Sequence, residues 1–342
     1  MRQLKVAACG LLALIFCSTL VFYTSLNQVD REQGKQFFFQ AGTFKVSLSC
    51  VVSGQEKHPL VFYEDAMEQI TVSRMVDVQR QNHLKNQCRI MNLSNDLNSV
   101  LRDQEFLSHV IVDEEHKLLY CYVPKVACTN WKRVLMVLMQ KTNVTKVLDI
   151  TASLAHSQNM FMKLINYTTP EVEHMLKTYT KFTFVRHPLE RLLSAYRNKL
   201  QQNYESSRYF KQRYGRLIVR LYRPNASPEA LEKGDDVSFQ EFASYVSDTQ
   251  LRPNEHWQPA AELCRPCAVN YDVIGKYESL KQDADFVLSH VSRDVRFPEL
   301  PKPSMTNASL KSTLDALPEL LLERLQQIYE ADFRLFDYQP AL

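Results

Sequence analysis

The 342-residue sequence is 45% hydrophobic and 23% charged, which excludes wholesale disorder and allows one large domain or two ordinary ones. Its formal charge of +3 provides no global field for nucleic acid, so any charged partner must be argued from local patches.

In chain order, the first element follows Arg2 and Lys5. Val6 to Leu26 ("VAACGLLALIFCSTLVFYTSL") is 21 residues without a charge, about the length of a membrane-crossing helix. A cleaved signal peptide would have a shorter apolar core and a small-x-small cleavage site, and none is obvious. Positive charge before the span and the balanced "QVDREQGK" after it put the N-terminus in the cytosol. The expected organisation is a cytosolic tail at 1–5, a transmembrane signal anchor at 6–26, a luminal stem at 27–100 and one domain at 101–342, as in a type II membrane protein. Sequons at Asn92, Asn143, Asn166, Asn225 and Asn307 agree with luminal exposure. Beyond the anchor lie Cys50, Cys88, Cys121, Cys128, Cys264 and Cys267, which can pair in an oxidising compartment. Cys264-Arg-Pro-Cys267 has no second metal-spaced pair, so one short disulfide or two separate ones are expected.

Within the stem, Met67, Ile70, Met75 and Val78 recur at near-helical spacing and predict a helix over 64–85. From "HVIVDEEHKLLYCYV" the pattern turns to strands, with a hairpin at 113–115. Then strands and helices alternate: "LLYCYV" and a helix over 129–139, "KFTFV" and a helix over 188–200, "YDVIGKYESL" and a helix over 281–291. That alternation predicts an α/β fold, a central parallel sheet with flanking helices.

The turn after the first of these strands, "PKVACTNW", has a lysine but none of the glycines usual in a phosphate loop. At the carboxyl end of a parallel strand, a helix N-terminus presents unpaired N–H groups to an anion. Lys125 adds charge, Thr129 or Asn130 can cap or donate, small Ala127 and Cys128 let the backbone approach, and Trp131 can wall one side. A plain strand–turn–helix with a surface lysine fits the segment equally well. The next strand ends in "FVRHPLERLLSAYRNKL", where Arg186 and helical Ser194 can share a second phosphate. Glu190, Arg191 and Arg197 also suit an ordinary helix-surface network.

Two such sites at neighbouring strand ends fit a nucleotide with phosphates on both sides of its ribose. Here the sequence resembles the Golgi carbohydrate sulfotransferases over about 110–338, in "YVPKVACTNWKR", "FVRHPLERLLSAYRNK" and "NEHWQPAAELCRPCAVNYDVIGKYESL". The last stretch points to the branch sulfating chondroitin, dermatan and terminal N-acetylgalactosamine, most like the chondroitin 4-O-sulfotransferases. The resemblance implies a phosphate-loop-like sulfotransferase fold, a catalytic domain in the Golgi lumen, and 3′-phosphoadenosine 5′-phosphosulfate as donor without a metal. It places the 5′-phosphosulfate on Pro124, Lys125, Val126, Ala127, Cys128, Thr129, Asn130 and Trp131. It places the 3′-phosphate on Arg186, His187, Pro188, Leu189, Glu190, Arg191, Leu192, Leu193 and Ser194, with Arg186 and Ser194 as the principal contacts. His187 departs from the acidic residue common there.

Lys125 is expected to neutralise the leaving oxygen. His156, between the two nucleotide elements, ranks first as the base that takes the acceptor proton; His256 ranks second and can instead bind acceptor. "RYFKQRYGRLIVRLYR" lacks acidic residues, and Arg213, Arg216, Arg220 and Arg223 form a basic ridge suited to a glycosaminoglycan, or simply a solvated helix face. Three readings compete with chondroitin or dermatan 4-O-sulfation. One is a related enzyme sulfating terminal N-acetylgalactosamine or glucuronate. Another is a phosphate-loop kinase, for which glycines and magnesium ligands are wanting, and the third a non-catalytic luminal glycan-binding protein.

Overall fold

The computed structural model describes residues 60–340 apart from Thr145, Thr249, Arg252, Arg293 and 300–305, with side chains from Thr71 onward except at 306–308. The expected anchor and residues 27–59 of the stem lie outside the described residues. Among the described residues, no helix is long and apolar enough to cross a membrane.

The chain enters on helix α1 (Leu60–Ile90), longer at both ends than its periodicity suggests. A hairpin follows, β1 (Val110–Asp113) and β2 (Leu118–Cys121), with Val110 opposite Cys121. The Asp113 carboxylate closes the turn by accepting from the His116 N–H at 3.1 Å and from His116 Nδ1 at 2.8 Å. Helix α2 (Cys128–Leu138) leads away from β2, and strand β3 (Thr180–Val185) returns parallel to it. Helix α3 (Pro188–Tyr196) follows, then a long helical excursion, strand β4 (Val273–Lys276) parallel to β3, and helix α4 (Leu280–Ser289). The order is β1-β2-β3-β4, so the expected parallel sheet accounts for three strands and the hairpin adds one antiparallel strand. Every residue of β1 and β2 is buried, as the unbroken apolar runs of a sheet covered on both faces require.

The two tryptophans anchor two apolar clusters. Trp131 packs among Tyr120, Phe182, Phe184 and Phe297 against the sheet. Trp257 packs among Tyr214, Phe242 and Tyr245 in the helical excursion.

Helix α1 covers the open edge of β4. The Ile274 N–H donates to Asp77 at 3.1 Å, and Arg80 donates to the Ile274 carbonyl at 2.9 Å and to Asp283 at 2.7 Å. An edge strand whose outward groups are paired offers no template for association. Residues 71–90, read from sequence as stem, are thus packed on the sheet. The cysteine pair splits between two partners: Cys88 bonds Cys267 and Cys121 bonds Cys264, while Cys128 is a free thiol and Cys50 lies outside the described residues.

Because the Cys88–Cys267 bond closes a very long loop, Cys88→Ser should cost about 2–5 kcal/mol in urea unfolding. An unchanged midpoint would mean that α1 is not an integral part of this domain.

Candidate active site

β2 delivers the chain into a turn that uses left-handed backbone at two non-glycine positions, Lys125 (φ 71°) and Ala127 (φ 55°). Such conformations cost about 1–3 kcal/mol each and persist where the surroundings impose them. They replace the missing glycines. Ala127 stands at the N-cap of α2 and brings no side-chain cap, so the helix opens with exposed N–H groups and its positive dipole end. Of the two roles open to Thr129 and Asn130, capping or donating to an anion, the first does not occur. Asn130 accepts from Arg133 at 2.9 Å, and the Thr129 hydroxyl meets His156 Nε2 at 2.9 Å. Burial pushes the Lys125 ammonium down to about 8, and the charges of Lys199, Arg186 and Arg191 push the same way.

β3 ends at a second basic corner. Arg186 is buried, lies over the Tyr277 ring at 4.3 Å and contacts Glu190 at 3.2 Å. Glu190 and half-buried Ser194 lie four apart on one face of α3, and Arg186, just before the helix, reaches Glu190. Arg191 points elsewhere. Its buried guanidinium donates to the carbonyls of Pro124 (2.9 Å), Glu255 (2.8 Å) and Gln258 (2.5 Å), tying the first corner to the turn that carries His256. With three of its five N–H groups on carbonyls and 1% of its surface exposed, it acts as a positioning residue.

Burial also corrects other side chains assigned to the nucleotide. Val126, Trp131, Leu189, Leu192 and Leu193 are at most 1% exposed and fill the cores, so Trp131 walls no pocket. Pro188 starts α3, where its missing N–H costs nothing. His187 faces the C-terminal segment: its Nε2 donates to the Gln339 carbonyl at 3.0 Å and its ring meets Phe333 and Tyr338 edge-on.

Both histidines are drawn to the first corner. His156 closes the short helix Ala152–Ala155 and lies with Nδ1 3.2 Å from the Lys132 ammonium. His256 has Nδ1 2.8 Å from Asn254 Oδ1. Burial, then the charges of Lys132 and Lys199, hold His156 down to about 4. Burial and Lys199 hold His256 down to about 3, with Glu255 opposing. Burial works against the Glu255 carboxylate, but the His109 hydrogen bond (3.0 Å) and nearby positive groups outweigh it and hold it at about 2. Lys199 belongs to a π-turn (Arg197–Gln201) that continues α3, and burial lowers its ammonium. Sequence reasoning passed over Lys132, Lys199, Asn254 and Glu255. Only Lys132 had a usable signal, three residues after Thr129 on the same helix face.

The basic ridge is broken by a second π-turn, Lys211–Gly215, between helices Glu205–Phe210 and Arg216–Tyr222. Arg213, Arg216 and Arg220 nevertheless line one groove of about 620 Å³ with Tyr214, Leu217, Tyr245 and Pro253. Arg223 is withdrawn from the ridge by Glu241 (2.6 Å) and Asp236 (2.7 Å). The sequon residues Asn92, Asn143, Asn166 and Asn225 are exposed, and the Asn307 side chain lies outside the described residues.

The parallel sheet thus carries basic corners at the ends of two adjacent strands, with histidines beside one of them. The sulfotransferase family model matches residues 108–339, and the chain belongs to that family. It is 40% identical over 298 residues to carbohydrate sulfotransferase 11 of Rattus norvegicus, covering 84% of this chain and 83% of that one. It is 44% identical over 238 residues to carbohydrate sulfotransferase 14 of Homo sapiens, covering 68% and 60%. No solved structure matches. The protein is a carbohydrate sulfotransferase, an enzyme that transfers sulfuryl groups to glycans.

Arg191→Lys keeps the charge but cannot reproduce the planar fork to three carbonyls. Each buried carbonyl left unpaired costs about 1–3 kcal/mol, so both the unfolding midpoint and donor affinity should fall together. An unchanged midpoint with full donor affinity would contradict the clamp.

Proposed function

We propose that the protein transfers a sulfuryl group from 3′-phosphoadenosine 5′-phosphosulfate to chondroitin or dermatan, at the 4-hydroxyl of N-acetylgalactosamine. The single observation that carries the donor half is the uncapped start of α2 with Lys125 beside it, crowded by Lys199, Arg186 and Arg191. Positive groups gathered this way repel one another until an anion joins them, so the residues present fit a phosphosulfate. Lys125 and the α2 N–H groups take the 5′ end and the charge growing on the leaving oxygen. Arg186 and Ser194, at the end of the adjacent strand, take the 3′-phosphate. The reading uses no metal, because basic side chains and N–H groups supply the counter-charge. Within it, Golgi residence as a type II membrane protein, with the catalytic domain luminal, rests on the N-terminal segment and the sequons.

The acceptor half rests on the groove of Arg213, Arg216 and Arg220. Guanidinium groups interleaved with tyrosine suit a chain of carboxylates and sulfates over sugar faces. The groove reaches Pro253, next to the turn that holds His256. The 4-position follows from the resemblance of the segment at 254–280 to the 4-O-sulfating branch.

Lys125→Ala should abolish transfer and leave the fold intact, since the residue is only half-buried in a turn. Arg186→Ala should weaken binding of 3′-phosphoadenosine 5′-phosphate in calorimetry by about 1.5–3 kcal/mol, the range for a hydrogen bond to a charged group. Wild-type affinity in that variant would remove Arg186 from the 3′-phosphate site.

Donor affinity should also depend on pH. Anion binding favours the protonated Lys125, whose ammonium in the free protein is held down to about 8. Affinity is therefore retained below that value and falls as pH rises through it. A flat profile between pH 7 and 9.5 in wild type would place Lys125 away from the anion.

A further inference from the structure

The two histidines beside the donor corner differ in what their hydrogen bonds leave free, and the difference follows from donor and acceptor chemistry alone. At His256 the backbone N–H donates to Asn254 Oδ1 at 3.1 Å. That N–H can only donate, so it fixes which end of the Asn254 amide faces the histidine. The same oxygen lies 2.8 Å from His256 Nδ1, which must therefore carry the proton. The amide's other end, Nδ2, donates to the Tyr214 hydroxyl at 3.1 Å, so the amide is held from both sides. In the neutral ring the lone pair is then on Nε2, and no group among the described residues hydrogen-bonds to it. The ring itself is wedged edge-on against Phe210, with centroids 5.0 Å apart.

His156 has the opposite arrangement. Its Nδ1 faces the Lys132 ammonium at 3.2 Å, which can only donate, so Nδ1 accepts. Nε2 then bears the proton and donates to the Thr129 hydroxyl oxygen at 2.9 Å. Both nitrogens are engaged. What remains free is the Thr129 hydroxyl hydrogen at the start of α2, available to an anion in the cradle.

We propose that His256 is the general base, that Asn254 is the positioning residue fixing its tautomer, and that His156 serves the donor side by orienting Thr129. This rests on the sulfuryl-transfer reading and reverses the order in which sequence alone ranks the two histidines. In the step, the acceptor oxygen bonds to sulfur and gives its proton to His256 Nε2. The bond between sulfur and the bridging oxygen breaks, and its electron pair stays on the phosphate, facing Lys125. The imidazolium afterwards releases its proton to water. Burial first, and then the charges of Lys199, Lys125 and Arg191, keep the His256 ring neutral before an anion arrives, while Glu255 favours the imidazolium. Tyr214 belongs both to the basic groove and to the Asn254 contact, so the groove and the base share a hydrogen-bonded link.

The first test needs no substrate. Nitrogen-15 spectra of the histidines, assigned with single histidine variants, should give the Nδ1–H tautomer for His256 and the Nε2–H tautomer for His156 at neutral pH. In Asn254→Leu the His256 preference should be lost. An Nε2–H tautomer for wild-type His256 overturns the proposal whatever the reaction, and it does so even where a variant fails to fold. The second test is kinetic. His256→Ala should cut kcat by about 10²–10⁴-fold with 3′-phosphoadenosine 5′-phosphate binding near wild type. Asn254→Leu should cut kcat roughly tenfold or more, and Asn254→Asp, which still accepts from Nδ1, should recover much of that loss. His156→Ala should raise the donor's KM and weaken bisphosphate binding. Loss of turnover in His156→Ala with donor affinity intact, alongside a near-normal kcat in His256→Ala, overturns the assignment. Absence of bisphosphate binding by the wild-type chain, with the tautomers as expected, would instead count against the donor reading and leave the geometry of the two histidines standing.

Discussion

The guanidinium of Arg191 is the constraint around which the site is organised. It is buried beneath the sheet's carboxyl edge and donates to three carbonyls in two segments more than a hundred residues apart in sequence. A charge so placed persists only when its donors find partners, and here three of the five N–H groups go to backbone carbonyls in the two turns beside the site. One bond fixes the turn that carries Lys125. The other two fix the turn that carries Asn254, Glu255 and His256. The Asp332 carboxylate supports the same junction, accepting from the Ala260 and Ala261 N–H groups at 2.8 Å each. Burial raises that carboxyl to about 6, with the N–H bonds and Arg191 opposing. The turns that carry Lys125 and His256 are therefore held in one frame.

The chemistry around this frame is unbalanced in a useful direction. Lys125, Lys132 and Lys199 all have ammonium groups lowered by burial. Among the described residues, the carboxylates nearest these cations are already engaged: Glu190 by Arg186, Glu255 by His109, and Asp332 by the Ala260 and Ala261 N–H groups. A group of cations set against uncapped helix N–H groups and two left-handed residues stores a cost that an anionic ligand relieves. Sulfuryl transfer, which moves negative charge onto a bridging oxygen, draws on that arrangement without further reorganisation.

Much of the frame was legible in the sequence because local signals and tertiary outcome agreed. Unbroken apolar runs before Pro124 and Arg186 gave β2 and β3, and Pro188 marked the start of α3. The hairpin at 113–115 and the helix after Cys128 were equally plain. What was illegible depended on contacts that no periodicity encodes. Arg191 reads as a surface arginine because its three partners are backbone carbonyls, which leave no trace in side-chain pattern. Trp131 and the leucines of α3 sit inside a motif whose function belongs to its backbone, so proximity in sequence mistook core residues for ligands. The helix ending at Ile90 looked like stem because its partners, Ile274, Asp283 and Cys267, lie far along the chain. Two π-turns, at 197–201 and 211–215, shifted the helical phase and turned Lys199 inward while leaving Arg213, Arg216 and Arg220 on one groove.

Product analysis tests the proposed sulfuryl transfer to galactosamine-containing glycosaminoglycan most directly. The protein would be incubated with sulfur-labelled donor and either chondroitin or desulfated dermatan, and the product digested to disaccharides. Label on the 4-hydroxyl of N-acetylgalactosamine is the predicted result. Label confined to another hydroxyl or another glycan, or none in the presence of bound donor, would contradict it.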